Sequence, residues 1–139
     1  MMLYALGMIE KEGKLLLLLR QNSRFFSGYY GLVGGKIEEK ESIADALIRE
    51  MYEEVGITAS KENLNFSHCL SFIGDEGTQV VAFVFKIKEW QGCVINGEPD
   101  KVVALTWFES NQLPKNVIPR HRHIIEMVQS GILYSEKGW

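Results

Sequence analysis

Five consecutive leucines, Leu15 to Leu19, run straight into Arg20, and a second unbroken apolar run, VVAFVF, spans residues 80–85. Both are far short of the roughly 20 apolar residues that a membrane-crossing helix needs. A strand with one face in water would alternate polar and apolar positions. The leucine run does not alternate, so it reads as a strand buried on both faces. A chain built this way needs cover on each side of a sheet.

The rest of the sequence supplies that cover. Residues 3–9 and 14–20 predict strands around the turn residues Glu12-Gly13, and 21–35 reads as a loop rich in glycine and aromatics. From Ser42 the apolar period changes. Ile43, Leu47, Met51 and Val55 recur at four-residue steps, with Ala44 and Ile48 widening the stripe, which predicts an amphipathic helix. Ser42 stands three residues before Asp45 in the manner of a capping box, and Gly56 suits the left-handed residue that closes a helix. Further strands are expected over 64–73, 77–88 and 102–108. A final helix is expected from Pro119 through Gln129, with Gly131 at its end. The pattern predicts an α/β (α+β) fold in which a mixed sheet lies between helices. With 139 residues, 46% of them apolar, and no repeat or low-complexity linker, residues 1–139 are expected to form a single domain.

Charge and cysteine usage narrow the function classes. A net charge of −3 argues against binding to duplex nucleic acid through a broad basic surface, and leaves room for a local anion pocket. Cys69 and Cys93 are far apart, without CxxC spacing, so neither a disulfide framework nor a zinc site is indicated. The N-terminal MMLYALGMIEKEG lacks a basic start and a cleavage-like site. The expectation is a soluble, cytoplasmic protein without a membrane partner.

REMYEEVGI, residues 49–57, is electrostatically costly. At about 100° per residue, Glu50, Glu53 and Glu54 share an arc of roughly 100° beside the apolar stripe. Like charges at these spacings cost about 0.2–0.5 kcal/mol per pair. The negative end of the helix macrodipole adds about 0.3–1 kcal/mol for each carboxylate. A hard divalent cation such as Mg2+ or Mn2+ would reverse both penalties, because it prefers carboxylate oxygen and is shared with substrate phosphates.

Around this cluster, Gly35 is followed after five residues by Glu41, then after seven by Arg49-Glu50, Met51, Glu53-Glu54 and Gly56-Ile57. This resembles the Nudix box, G-x5-E-x7-R-E-U-x-E-E-x-G-U, at every fixed position, and the strand and helix order resembles that of MutT-like members. The resemblance implies a Nudix-type mixed sheet between helices and a hydrolase of nucleoside diphosphates linked to another group, with Mg2+ as cofactor and Mn2+ able to substitute. It implies that Glu50, Glu53 and Glu54 hold metal, with the Gly34 carbonyl as a further ligand, and that Arg49 and Glu41 orient them. It offers Glu53, Glu50 or, from a later loop, Glu98 as the general base, with Glu76 a weaker alternative.

For the substrate, the resemblance points to Arg20 and Arg24 for phosphates. Tyr29, Tyr30, Phe72 and Trp107 are the aromatics able to stack on a base, with core packing the alternative for each. The segment SFIGDEG lacks the proline and tyrosine of members acting on ADP-ribose and dinucleoside polyphosphates, so a nucleoside triphosphate, including an oxidised or otherwise non-standard one, is expected, with a nucleotide sugar, ADP-ribose or coenzyme A derivative as substrate, or a non-catalytic nucleotide sensor, as the alternatives. One departure is Val33, where proline is frequent in the family. Homodimers are also frequent there. The HRH run at 121–123 is expected to be the exposed start of the last helix, and YSEKGW a tail that folds back on the domain.

Overall fold

The computed structural model describes residues 1–139. Its strands are β1 (Met2–Lys11), β2 (Lys14–Arg20), β3 (Tyr30–Gly31), β4 (Val33–Lys36), β5 (Asn65–Ile73), β6 (Gln79–Ile87), β7 (Val102–Glu109) and β8 (Tyr134–Lys137). The helices are α1 (Ile43–Val55) and α2 (Pro119–Gln129). β1 lies at the centre, parallel to β6 and antiparallel to β4. β5 pairs antiparallel with β6, and β8 adds in parallel at the outer edge of β5. Beyond the Glu12-Gly13 turn, β2 pairs with β7 on one side and with β3 on the other.

The leucine run divides between two cores. Leu15 and Leu17 pack with Ile124, Ile125 and Val128 of α2, while Leu16 and Leu18 pack with Ala46, Leu47, Met51 and Val55 of α1. All four leucines are buried, each contributing about 1.5–3 kcal/mol of hydrophobic stabilisation. The sheet therefore lies between the two helices, as the doubly buried strand requires.

Local signals also placed α1. The Ser42 hydroxyl accepts the Asp45 N–H at 3.1 Å, and Gly56 closes the helix at φ 72°. Two expectations are corrected. The cap runs one way, because the Asp45 side chain pairs with Lys61 at 3.4 Å instead of reaching back. The stripe is widened by Ala46 and Glu54, which are buried, whereas Ala44 and Ile48 are half-buried.

The segment expected to be a loop contains β3 and β4. Their short sequences, YG and VGGK, carry too few side chains for an apolar period. Val33, at the position where the family often has proline, is fully buried and pairs with Gly7. A proline there would bring no N–H to the strand ladder. The C-terminal tail folds back as β8. Its Ser135 hydroxyl stands 2.7 Å from His68 Nε2 and 2.8 Å from His123 Nε2, and the Trp139 indole N–H donates to the Ser71 carbonyl at 3.2 Å. Cys69 and Cys93 are free thiols. No helix is long and apolar enough to cross a membrane.

Candidate metal and nucleotide site

The last turns of α1 face the strand β4, and the three glutamates of REMYEEVGI occupy three different environments. Glu54 is buried at 8% exposure, and its Oε1 accepts the Gly34 N–H at 2.7 Å. Glu50 is largely buried, at 16% side-chain exposure, and Glu53 is half exposed at 49%. Burial pushes the Glu54 carboxyl well above the usual carboxylate range; the Gly34 N–H opposes that shift, and the charges of Glu50 and Glu98 add to it. Burial likewise raises Glu50, against the counter-effect of Arg49.

Arg49 is the organising cation. Its Nε and Nη2 donate to the two oxygens of Glu41 at 2.7 and 3.0 Å, a two-point fork. Its Nη1 donates to Glu50 at 3.0 Å and Glu53 at 3.2 Å, and Nη2 also reaches the Lys36 carbonyl at 3.2 Å. Glu41 in turn accepts the Glu38 N–H at 3.0 Å. The Arg49 hydrogen bond, followed by that from Glu38, holds the Glu41 carboxyl below its ordinary range.

Glycine permits the close approach. A Cβ on Gly35 would stand 2.6 Å from Glu50 Oε1, so a side chain there would occupy the space of the carboxylate. On the other side of α1, the Gly97 N–H donates to the Glu54 carbonyl at 3.0 Å, and a Cβ on Gly97 would lie 2.1 Å from the Glu53 carbonyl oxygen. The loop is fixed by Asn96, which accepts the Glu98 N–H at 3.0 Å and donates to the Val102 carbonyl at 2.8 Å. Glu98 is thereby brought close enough for its charge to act on both Glu50 and Glu54.

These residues fit a divalent cation. Glu41, Glu50, Glu53, Glu54 and Glu98 gather around the guanidinium groups of Arg49 and Arg20, so negative charge is in excess, and all the donors are hard oxygens. Arg49 holds Glu50 and Glu53, and no three carboxylates converge on one point.

Beside the carboxylates lies a cavity of about 260 Å³ bounded by Gly34 and Gly35 at one end and by Arg120 and His121 at the other. Arg20 lines it, and its Nε is buried without a hydrogen-bond partner. Arg24 lines an adjoining cavity of about 240 Å³, where it is ion-paired with Glu76. Glu76 sits in a tight turn at φ 66°. Phe72 borders the second cavity, but it is only 6% exposed and the Arg120 guanidinium stands 4.6 Å from its ring centroid. That face is occupied, so Phe72 supports Arg120 and is not an open stacking surface.

Tyr30 is not brought to the site. It packs edge-on against Phe108 with ring centroids 4.9 Å apart. Trp107 stacks on Trp90, and Tyr29 packs edge-on against Phe26. The expectation of an exposed HRH run is corrected: His121 Nδ1 accepts the Leu32 N–H at 2.9 Å, and His123 bonds Ser135. Sequence reasoning missed Arg120, His121, Phe25 and Phe26 as cavity residues. The signal available for α2 was that Arg120 and His121 open a helix whose start contains no acid. A larger depression, about 350 Å³, lies at the β1–β2 turn, but its lining has no apolar residue and shares none with the carboxylate loop.

The sequence matches the NUDIX domain over residues 3–128. The chain belongs to the NUDIX domain family. It is 34% identical over 112 residues to an ADP-ribose pyrophosphatase from Methanocaldococcus jannaschii, covering 78% of this chain and 62% of that one. It is 40% identical over 62 residues to a CTP pyrophosphohydrolase from Escherichia coli, covering 45% and 46% of the two chains. The NUDIX chain described here thus spans less than two thirds of these curated relatives. Among solved structures, a MutT NUDIX hydrolase from Burkholderia pseudomallei superposes with a TM-score of 0.82 at 28% identity, covering 90% of this chain and 95% of that one.

Proposed function

We propose that this NUDIX domain is a Mg2+-dependent pyrophosphohydrolase that cleaves a nucleoside triphosphate to the monophosphate and pyrophosphate. The observation that carries the reading is the acidic pole. Glu54 is buried with a single backbone donor, and Glu50 and Glu98 act on it as like charges rather than partners. Arg20 offsets these penalties only in part, and a purely structural role leaves the remainder uncompensated. The related proteins named as hydrolases of nucleotide pyrophosphate bonds support the reaction class.

Glu50, Glu53 and Glu54 would hold the metal. When bound, it supplies charge neutralisation at the phosphate oxygens and a water acidic enough to act as nucleophile near neutral pH. Arg49 and Glu41 fix the carboxylates. The close contact between Gly35 and Glu50 keeps that carboxylate against the glycine pair that borders the cavity. Arg20, with its unpartnered Nε, binds a phosphate oxygen on the opposite side. Glu98, on the loop that packs against α1, takes the proton from the attacking water, with Glu53 and Glu50 as the other groups within the cluster able to do so.

The test is a panel of nucleoside triphosphates, ADP-ribose and nucleotide sugars incubated with Mg2+ or Mn2+, with pyrophosphate and monophosphate release measured. Metal-dependent turnover of a triphosphate, lost with EDTA and in the Glu53→Gln/Glu54→Gln variant that still melts cooperatively, supports the reading. Tight calorimetric binding with no turnover across the panel makes the domain a nucleotide sensor instead. Wild-type turnover across pH in Glu98→Gln removes Glu98 from the reaction.

A further inference from the structure

Arg120 is half-buried and makes neither an ion pair nor a hydrogen bond with the protein. Its guanidinium is held in place by two rings, with the centroids of Phe72 and Phe26 at 4.6 and 5.6 Å. It stands at the boundary of the two adjoining cavities, which also share Tyr4 and Phe25. A guanidinium with its faces engaged by aromatic rings keeps its in-plane N–H groups free, and those groups only donate.

The wall of the 260 Å³ cavity has the same polarity, whereas Asp75 and Glu76 line the adjoining one. His121 Nδ1 accepts the Leu32 N–H, so a neutral ring carries its hydrogen on Nε2, and no protein acceptor meets that hydrogen. Arg20 and Lys36 are donors, and Tyr4 is the one polar side chain lining this cavity that can also accept. No carboxylate or side-chain amide lines it. A ligand group filling the Arg120 end meets a surface that rewards acceptors and leaves buried donors unpaired.

We propose that Arg120 is a specificity-determining residue that reads the nucleobase through two adjacent acceptors, O6 and N7 of guanine or O2 and N3 of cytosine. This rests on the nucleotide-cleft reading above. Adenine sets an amino donor beside N7, and 8-oxoguanine carries a hydrogen on N7, so each breaks the acceptor pair. Phe25, which is 42% exposed where the two cavities meet, carries the Arg24 guanidinium 5.0 Å from its ring centroid, so it borders the base without offering that face for stacking. The inference therefore favours an unoxidised base over 8-oxoguanine.

Equilibrium binding of GMP, CMP, AMP and 8-oxo-GMP, measured by calorimetry without metal or turnover, tests this. The wild type should bind GMP or CMP at least about tenfold more tightly than AMP and 8-oxo-GMP. The GMP and CMP arms show which acceptor pair is read. Arg120→Gln presents one acceptor beside its donor and matches adenine, so the GMP-to-AMP or CMP-to-AMP ratio should fall to within about threefold or invert. Arg120→Lys keeps the charge without the fork and should also shrink the ratio.

A wild type with no preference overturns the proposal, as does binding of none of the four at millimolar concentration. An equal loss for all four in both variants, the behaviour of a phosphate contact, overturns it too. A ratio that holds in a protein with no hydrolytic activity would remove the hydrolase reading alone. Turnover of all triphosphates with equal base affinities would remove this inference alone.

Discussion

α1 and α2 cover opposite faces of one sheet with similar apolar stripes, yet the ends they turn toward the cleft carry opposite chemistry. α1 gathers Glu50, Glu53 and Glu54 in its final turns, where the macrodipole is already negative. α2 sets Arg120 in its first turn, where the macrodipole is positive, and keeps the adjacent His121 neutral. Each helix therefore places charge against its own dipole: Arg120 of α2 lines the cavity, and Glu50 and Glu54 of α1 contact Gly35 and Gly34 at its border. Elsewhere the same helices follow the ordinary rules: Ser42 caps α1, and Pro119 opens α2. Local rules broken at both helix ends are what the proposed ligand charge would compensate.

Breaking the acidic half has the largest effect. Glu54→Gln should reduce metal-dependent hydrolysis by more than about a hundredfold, beyond the roughly 10–100-fold that losing an orienting partner costs. Its melting temperature should not fall at neutral pH, because the amide has no charge to desolvate and still accepts the Gly34 N–H. Wild-type hydrolysis in this variant would sink the assignment of Glu54 to the metal. Arg49→Ala comes next, with a loss of about 10–100-fold in activity or metal affinity. It should also melt lower than wild type, because Glu41, Glu50 and Glu53 lose their common partner. Arg49→Lys cannot form the fork with Glu41 and should recover only part of the activity.

The basic half gives a pH signature. Burial, reinforced by the charges of Arg20 and Arg120, pushes the His121 imidazole down to about 3. The unfolded chain binds a proton on this residue near pH 6.5, and the folded one does not until about pH 3. Stability from the neutral ring is thus fully present above pH 6.5 and is lost progressively as pH falls toward 3. His121→Gln, which can still accept the Leu32 N–H through its amide oxygen, should flatten that part of the melting-temperature profile. An unchanged acid limb would show that His121 titrates freely.

The two halves were not equally legible in the sequence. The acidic half sits on a 3.6-residue apolar period with a capping serine and a closing glycine, so spacing alone put its side chains on one face. The basic half is assembled by tertiary contacts. Arg120 reaches the cavity because Phe72 of β5 and Phe26 of the loop after β2 hold it, and His121 because the Leu32 amide on a short strand needs an acceptor. Residues this far apart in sequence share no spacing to read. The same reason explains Tyr30, which looked like a stacking residue by composition and is instead fixed against Phe108 of β7. β3 and β4 were hidden because two glycine-rich strands owe their pairing to β1 and β2 rather than to their own pattern.

The smallest effect separates two roles for Arg24. The resemblance expects it at the phosphates, whereas the structure pairs it with Glu76 and joins the loop after β2 to the turn between β5 and β6. Both side chains are mostly exposed, at 71% and 65%, so the pair should contribute no more than about 1 kcal/mol and less at high salt. If the pair is only a surface clasp, Arg24→Ala and Glu76→Ala should behave alike, each changing KM by less than about threefold with kcat unaltered. If Arg24 leaves Glu76 to bind a phosphate, the two variants diverge: Arg24→Ala loses activity, while Glu76→Ala frees the guanidinium and lowers KM. Measuring both variants at low and high salt distinguishes the roles, because only the second gives effects of opposite sign.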